Sequence, residues 1–546
     1  MKDITVLKWV YEKCGKRRRE LLTLCMLNAW SALCVTLFAM LSKSVMDYAQ
    51  AYDAEKLLKY TLLLLLIILS QMITRVLSSL IEAMGQGKAE ISLRTSVFSN
   101  ILYGDYASTN ERHSGDVMAR LTADASLVSD SYVSLLPTVV GYFVRIGSAA
   151  IALFTLDRRF AIIFIGCGTL IVVLAAIFRK SLKQLHQRVQ ERDAKVRAFM
   201  QEMIENLFAV KVFGIEKKVL TSSSNHQRKL YRQKVKKKTF TIIANIGFSL
   251  AFAAGFLVAT AYGSYGIFKG TMSFGTVVAI IQLVNQLQSP VIGVTGVVPA
   301  FFAMTASAQR LMEISQAEKE YEQKRKISYD DFISINAENV SFGYSGECVI
   351  EKSDFVINKG DFVGIKGPSG AGKSTIFKLI TGLYQPSSGS VVIKTTSGDV
   401  PCVESRRLYS VVPQGNMLFS GTVRENITLL CPDATDEQIK RALVDACAEF
   451  AYSLEGGLDF QLGEGGASIS EGQAQRLAVA RALLGKGRIL LMDESTSALD
   501  AESESRMLDN LQARDDITVL FITHRESVLE KCDRIITVGE GKISEE

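Results

Sequence analysis

No two of the nine cysteines stand in C-x-x-C spacing, so nothing in the chain suggests a zinc site. Scattered free thiols suit a membrane protein or a reducing cytosol. The N-terminus lacks a signal peptide with a small-residue cleavage site. Low-complexity stretches and short-period repeats are missing too. So is a large charge of one sign: a net charge of +6 over 546 residues is too modest to signal nucleic-acid binding. The basic residues instead gather in a few segments, a pattern that membrane topology produces.

What the chain has in excess is apolar sequence, unevenly spread. Hydrophobic residues make up 48% of the chain, and most of the excess lies before about residue 305. Leu62–Leu69 is unbroken aliphatic and Ala161–Phe178 carries no charge. Runs of roughly 18–20 residues can cross a bilayer. Six spans are expected, at roughly 20–42, 58–82, 132–156, 160–178, 240–268 and 275–305. The cluster Lys16-Arg17-Arg18-Arg19 precedes the first, and the charged segments 83–131 and 179–239 follow the second and fourth. All three should face the cytoplasm, as helical extensions in the case of the two long segments. Ile4–Tyr11, with Trp9, reads as a short helix lying at the interface, within an N-terminal piece 1–19. The membrane domain is expected over 20–310, a charged linker over 311–332, and a soluble domain over 333–546. In that last part strand-like runs (Ile489–Met492, Thr518–Ile522) alternate with helix-like ones, as in an α/β sheet protein.

The soluble part holds the most informative motif, Gly367-Pro368-Ser369-Gly370-Ala371-Gly372-Lys373-Ser374-Thr375. It fits G-x-x-x-x-G-K-[ST], between a strand-like and a helix-like run. Its glycines let backbone N–H groups turn onto a polyphosphate, and the helix after it points its positive end at the same anion. Lys373 can reach the β- and γ-phosphates and Ser374 can hold Mg²⁺. Further on, Ile489–Met492 ends in Asp493 and Glu494. Asp493 is placed to hold Mg²⁺ and Glu494 to polarise an attacking water. The plainer reading is a strand that ends in a solvated acidic turn.

Five further segments give the chain a family resemblance. Val340–Tyr344 resembles an aromatic loop that stacks Tyr344 on adenine. Val411–Thr422, with Gln414, resembles the Q-loop. Ile469-Ser470-Glu471-Gly472-Gln473 resembles the signature, Ser497-Ala498-Leu499-Asp500 the D-loop, and Phe521–Arg525 the switch loop with His524. In order and spacing these resemble an ATP-binding cassette (ABC) transporter half. That implies a multidomain chain: an all-α, six-span transmembrane domain of the type IV exporter kind, plus an α/β P-loop ATPase domain. ATP and Mg²⁺ are the implied cofactors. Gln414, Glu494 and His524 are the implied catalytic set, Ser374, Gln414 and Asp493 the metal set, and Tyr344, the P-loop, Ser470, Gly472, Gln473 and Asp500 the nucleotide contacts. Two positions depart from the pattern: Glu471 stands where the signature usually has glycine, and Gly465 where arginine usually follows Glu464. A carboxylate aimed at the phosphate would repel it, and one aimed outward would not.

In the family, ATP is sandwiched between the P-loop of one domain and the signature of another. One chain therefore needs a partner, either a second copy or a related half-transporter. Looser matches, Ser114–Asp124 and Glu205–Glu216, resemble coupling regions, with a coupling helix near Tyr103–Asn110. Gln282, Asn285, Gln286 and Ser289 share one face of the sixth span, and either line a substrate path or bond between helices. Arg145, Arg75 and Asn245 are further intramembrane candidates. The resemblance implies an ATP-driven exporter of an amphipathic, peptide-like, lipid or drug-like substrate, in the cell (plasma or inner) membrane with both termini and the ATPase domain cytoplasmic. An importer with the same fold is the alternative, and nucleic acid is not an expected partner. The short stretch before the first span implies that no peptidase domain is fused there.

Overall fold

The computed structural model describes residues 2–15, 17–110, 114–315, 320, 327–344, 347–415, 417–466 and 468–545, and at some of these only the backbone. It divides into two compact units, residues 1–100 with 114–316, and residues 101–113 with 317–546.

The first unit is helical. In chain order it holds α1 (Lys2–Lys13), α2 (Arg18–Gln50) and α3 (Ala54–Leu102). After α4 (Tyr106–Asn110), which belongs to the second unit, come α5 (Ser114–Ala119), a π-turn at Arg120–Asp124, and α6 (Ala125–Leu156). Then follow α7 (Arg158–Glu205), α8 (Leu207–Val212), α9 (Glu216–Phe268) and α10 (Phe274–Ser315). The six expected spans fall within α2, α3, α6, α7, α9 and α10. Among the described residues, four stretches are long and apolar enough to cross a membrane: Arg18–Gln50, Ala54–Leu102, Ser114–Leu156 and Glu216–Phe268. Over the apolar stretches of α7 and α10, many side chains lie outside the described set. The four stretches are mostly exposed in the isolated chain, as lipid-facing helices must be.

Small residues let these helices approach closely. Ala39, Ala149, Ala152, Ala161 and Ala259 pack with Leu153, Phe160, Ile280, Leu283 and Val284 where α2, α6, α7, α9 and α10 meet. Polar ties between helices add register. Thr36 and Ser148 share a 2.7 Å hydrogen bond, and Asp47 accepts from the Gly275 backbone N–H at 3.1 Å. The α1 helix is present, and its Lys13 donates to Ser96 of α3 while Ser92 donates to the Lys13 carbonyl. At the π-turn the Arg94 guanidinium takes up the Leu121 and Thr122 carbonyls, and Asp124 receives Arg310 and Ser307 of α10.

The second unit is an α/β domain. Its strands are β1 (Phe332–Tyr344), β2 (Glu347–Asn358), β3 (Phe362–Lys366), β4 (Ser388–Thr395), β5 (Gly398–Pro401), β6 (Tyr409–Val412), β7 (Gly421–Thr422), β8 (Gln461–Leu462), β9 (Ile489–Asp493), β10 (Thr518–Ile522), β11 (Arg534–Gly539) and β12 (Lys542–Glu545). Its helices after α4 are α11 (Lys373–Ile380), α12 (Val423–Thr428), α13 (Asp436–Asp445), α14 (Glu471–Leu484), α15 (Ala501–Gln512) and α16 (Glu526–Leu529). One sheet is antiparallel, in the order β2-β1-β4-β5. The main sheet runs β12-β11-β3-β10-β9-β6, parallel except for β12. β10 is buried throughout and β3 and β9 nearly so, which is why they read as continuous apolar runs rather than alternating ones. Their parallel register brings the C-terminal ends of β3, β9 and β10 together, the place where open α/β sheets bind ligands.

Residues 101–110 pack with this domain, although the sequence groups them with the membrane extensions. Tyr106 of α4 meets Tyr384 edge-on at 5.8 Å, and the Tyr103 carbonyl accepts from the Glu320 N–H. Glu320 in turn pairs with Arg406.

Candidate nucleotide-binding site

The loop after β3 is shaped by glycines. Gly367, Gly370 and Gly372 all have positive φ, at 154°, 82° and 101°. At Gly367 a Cβ would come within 2.1 Å of the Val538 carbonyl oxygen, and at Gly372 within 2.6 Å of Val349. Neither position admits a side chain, so the chain turns tightly into α11. Lys373 is buried and donates to the Gly367 and Pro368 carbonyls at 2.8 and 2.9 Å, holding the loop's curvature. Pro368, Ser369 and Ala371 complete the loop, and Ala371 N–H bonds back to Pro368. Ser374 hydrogen-bonds the Asp493 carboxylate at the end of β9. Burial lifts the Asp493 carboxyl above its ordinary value. The Ser374 hydrogen bond opposes this, and the adjacent Glu494 charge adds to it.

Glu494 sits in the left-handed region at φ 49°, a strained conformation for a non-glycine residue. Its N–H is fixed by the Ile522 carbonyl of β10. Its carboxylate receives the Gln414 amide at 2.8 Å and lies 3.7 Å from His524 Nε2. The three residues named as catalytic from sequence thus converge from the ends of β6, β9 and β10. The oxygen donors Ser374, Asp493 and Gln414 fit a hard cation such as Mg²⁺. Tyr344 is half-buried, its hydroxyl 3.2 Å from Thr375 and its ring edge-on to Phe342 and Tyr384. The Lys378 ammonium lies 5.6 Å from the Tyr344 and Tyr384 rings.

The signature residues cap α14. The Ser470 hydroxyl accepts from Gln473 N–H, and the Gln473 side chain accepts from Ser470 N–H, a reciprocal capping box. Ser470 and Glu471 are exposed. Gly472 abuts the D-loop: a Cβ there would stand 2.6 Å from the Ala498 carbonyl oxygen. Gly465, with φ 65°, has nothing within 4 Å of where its Cβ would be. Asp500 caps α15 by accepting from Ser503 N–H at 2.9 Å.

Sequence reading overlooked Gln475, Glu504 and Arg525. Gln475 is buried and bonds both Ser497 and the Ala498 N–H, while Arg525 bridges Glu504 to the D-loop. The only available signal was a charged residue beside His524, which alone says nothing of direction.

In the helical unit the intramembrane candidates separate. Gln286 donates to the Val35 carbonyl of α2 at 2.8 Å, an interhelical bond. Among the described residues, the buried Arg145 Nε, Gln282 Oε1 and Gln286 Oε1 atoms have no hydrogen-bond partner. Asn285, Ser289, Asn245 and Arg75 are exposed.

A family model described as ABC transporter transmembrane region matches residues 21–291, and one described as ABC transporter matches 350–497. The ATP-dependent lipid A-core flippase of Mannheimia succiniciproducens is 30% identical over 505 residues, covering 90% of this chain and 86% of that protein. The chain belongs to the ABC transporter family. Its ATPase domain binds nucleotide, and ATP hydrolysis coupled to transport is its activity. The lipid A-core flippase of Desulfotalea psychrophila is also 30% identical, over 94% of this transporter and 93% of that one. ABC transporter B family member 1 of Dictyostelium discoideum is 27% identical over 94% of this chain, which spans 58% of that longer protein. A structure of a bacterial Atm1-family ABC exporter with ATP bound shares the fold, with a TM-score of 0.81, 23% identity, and coverage of 97% and 96% of the two chains.

Proposed function

We propose that this chain is a half-transporter that works as a homodimer and exports an amphiphilic substrate of the lipid class. The observation that carries the ATPase part is the convergence of Gln414 and His524 on the Glu494 carboxylate, beside a glycine-shaped phosphate loop. In this reading Glu494 accepts the proton of the attacking water. Its side chain is held by Gln414 and its backbone by Ile522, so it is oriented before substrate arrives. His524 contacts the γ-phosphate. The P-loop amides and Lys373 hold the phosphates, and Tyr344 packs on the base. Ser374, Asp493 and Gln414 hold Mg²⁺, which when bound neutralises charge on the transferred phosphoryl group.

Ser470, Gly472, Gln473 and Asp500 face the nucleotide held by the partner subunit. The exposure of Ser470 and Glu471 supports this. Glu471 favours a second reading, a heterodimer with a related half that has glycine at that position. The basic segments before the first span and between the fourth and fifth support cytoplasmic termini and ATPase domain, in the plasma or inner membrane.

The names of the relatives support a lipid substrate, and the buried Arg145 Nε, which has no partner among the described residues, supports one with an anionic group. The test is ATP-dependent movement of fluorescently tagged anionic lipids between leaflets of proteoliposomes. Movement that requires ATP and Glu494 supports the reading. Sustained ATP hydrolysis with no lipid movement sinks the substrate class.

A further inference from the structure

Three buried or half-buried side chains outside the nucleotide set fix the backbone of the D-loop. Arg525, the residue after His524, turns its guanidinium away from the phosphate site. Its Nη2 donates to the Ser497 carbonyl at 2.7 Å, and its Nη1 donates to Glu504 Oε1 at 2.7 Å and to the Leu499 carbonyl at 3.3 Å. The Glu504 carboxylate, on α15, is only 4% exposed, and its second oxygen accepts from Ser527 at 2.8 Å. From the other side Gln475 of α14 donates to Ser497 Oγ at 3.2 Å and accepts from Ala498 N–H at 3.1 Å. The Ser497 N–H reaches the Glu494 carbonyl at 3.2 Å. Three consecutive D-loop residues are thus tied to the signature helix, the switch loop and the backbone of Glu494 together.

Arg525 has no backbone slack with which to do anything else. Its N–H bonds to the buried Thr523 hydroxyl at 3.1 Å, and its carbonyl accepts from Val528 in the first turn of α16. His524 is held between these two anchors. A fork with donors in fixed geometry suits two carbonyls and a carboxylate together, which a point-charge ammonium cannot match.

We propose that Arg525 is a positioning residue. Clamped by Glu504, it sets the D-loop and His524 as one body, and Gln475 extends that body to the signature helix. It touches neither nucleotide nor metal. Its task is to make the γ-phosphate contact of His524 and the presentation of Ser470 to the partner's nucleotide adopt one geometry. This inference rests on the proposed roles of His524 and of the signature.

The test uses the full chain in lipid nanodiscs with Arg525→Lys, which keeps the positive charge beside Glu504, and Glu504→Gln, which keeps the arginine fork in place. Fluorescent-nucleotide affinity, KM, kcat and backbone hydrogen exchange are measured on each. Arg525→Lys is expected to lower kcat by roughly ten- to a hundredfold, the scale of a small misplacement near a reacting centre, with KM and nucleotide affinity within about threefold. Exchange should rise at 496–500 and 523–526 and stay unchanged over 373–380. Glu504→Gln should fall between wild type and Arg525→Lys in both readouts. Unchanged exchange in those two segments overturns the proposal, as does kcat per folded molecule equal to wild type. Should the wild-type chain alone not turn over, the homodimer reading fails, while the exchange comparison still decides the role of Arg525.

Discussion

Gly472→Ala tests whether the signature helix and the D-loop are in rigid contact. The backbone at Gly472 is ordinary helix, so alanine carries no conformational penalty there. The cost comes from one contact: the new methyl would lie 2.6 Å from the Ala498 carbonyl oxygen. The closest comfortable carbon–oxygen approach is about 3.3 Å, so α14 and the D-loop must part by roughly 0.7 Å. The D-loop cannot yield alone, because Gln475 holds the Ala498 N–H and Arg525 holds the carbonyls on either side. Overpacking of this kind costs about 1–3 kcal/mol. For a chain segment of some 200 residues that is a fall of roughly 3–10 °C in the unfolding midpoint. Displacing the signature by this distance should lower kcat by about tenfold to a hundredfold. Fluorescent-nucleotide affinity should hold, because the P-loop lies on other elements. Thermal unfolding and ATPase assays on the purified variant measure both. A variant with wild-type midpoint and kcat within twofold would refute the rigid contact.

Three further outcomes are expected. Glu471→Gly should raise the ATPase rate of the chain alone severalfold if the carboxylate weakens the partner's nucleotide site, and an unchanged rate would mean that Glu471 points outward in the dimer. Burial acts to raise the Asp124 carboxyl, but hydrogen bonds from Arg310 and Ser307 outweigh it and leave the group below its ordinary value. Its contribution to stability is therefore present above the unfolded carboxyl value and lost as pH falls through the lower folded one, so Arg310→Ala should destabilise the protein at pH 7 and cost less at an acid pH below the folded value. Melting curves at the two pH values, compared with wild type, measure this. Tyr106→Ala removes the edge contact with Tyr384, and should leave basal ATPase within about twofold while abolishing its stimulation by lipid, if α4 carries the coupling signal. Equal stimulation in the variant would exclude that role.

The phosphate loop was legible in the sequence because its chemistry is local. Three glycines with positive φ, a lysine and a serine fall within eight consecutive residues, and each is required by the turn itself. The two main spans of strand, β9 and β10, were legible for the same reason: fully buried parallel strands are continuous apolar runs. The meeting of Gln414, Glu494 and His524 was not local, since sheet order alone brings them together; only the family resemblance named them as one set. The clamp of Arg525 on Glu504 was not legible at all. Its partners stand 21 residues apart on different elements, and neither residue type at its position signals the other. The π-turn at Arg120–Asp124 likewise has no residue that announces it, because Arg94 and Arg310, which stabilise it, come from α3 and α10. The polar stripe on the sixth span was drawn as one surface, yet packing divided it. Gln286 donates its amide to the Val35 carbonyl, whereas Asn285 and Ser289 are exposed.

The most direct test of the account is ATP hydrolysis by this chain expressed alone and reconstituted in lipid nanodiscs, with Glu494→Gln as the comparison. The arrangement around Glu494 predicts steady hydrolysis by the wild type, a loss of at least about a thousandfold in the variant, and nucleotide affinity retained in both. Undiminished hydrolysis in Glu494→Gln would contradict the assignment of the base. Nucleotide binding without hydrolysis in the wild type would contradict the self-sufficient homodimer.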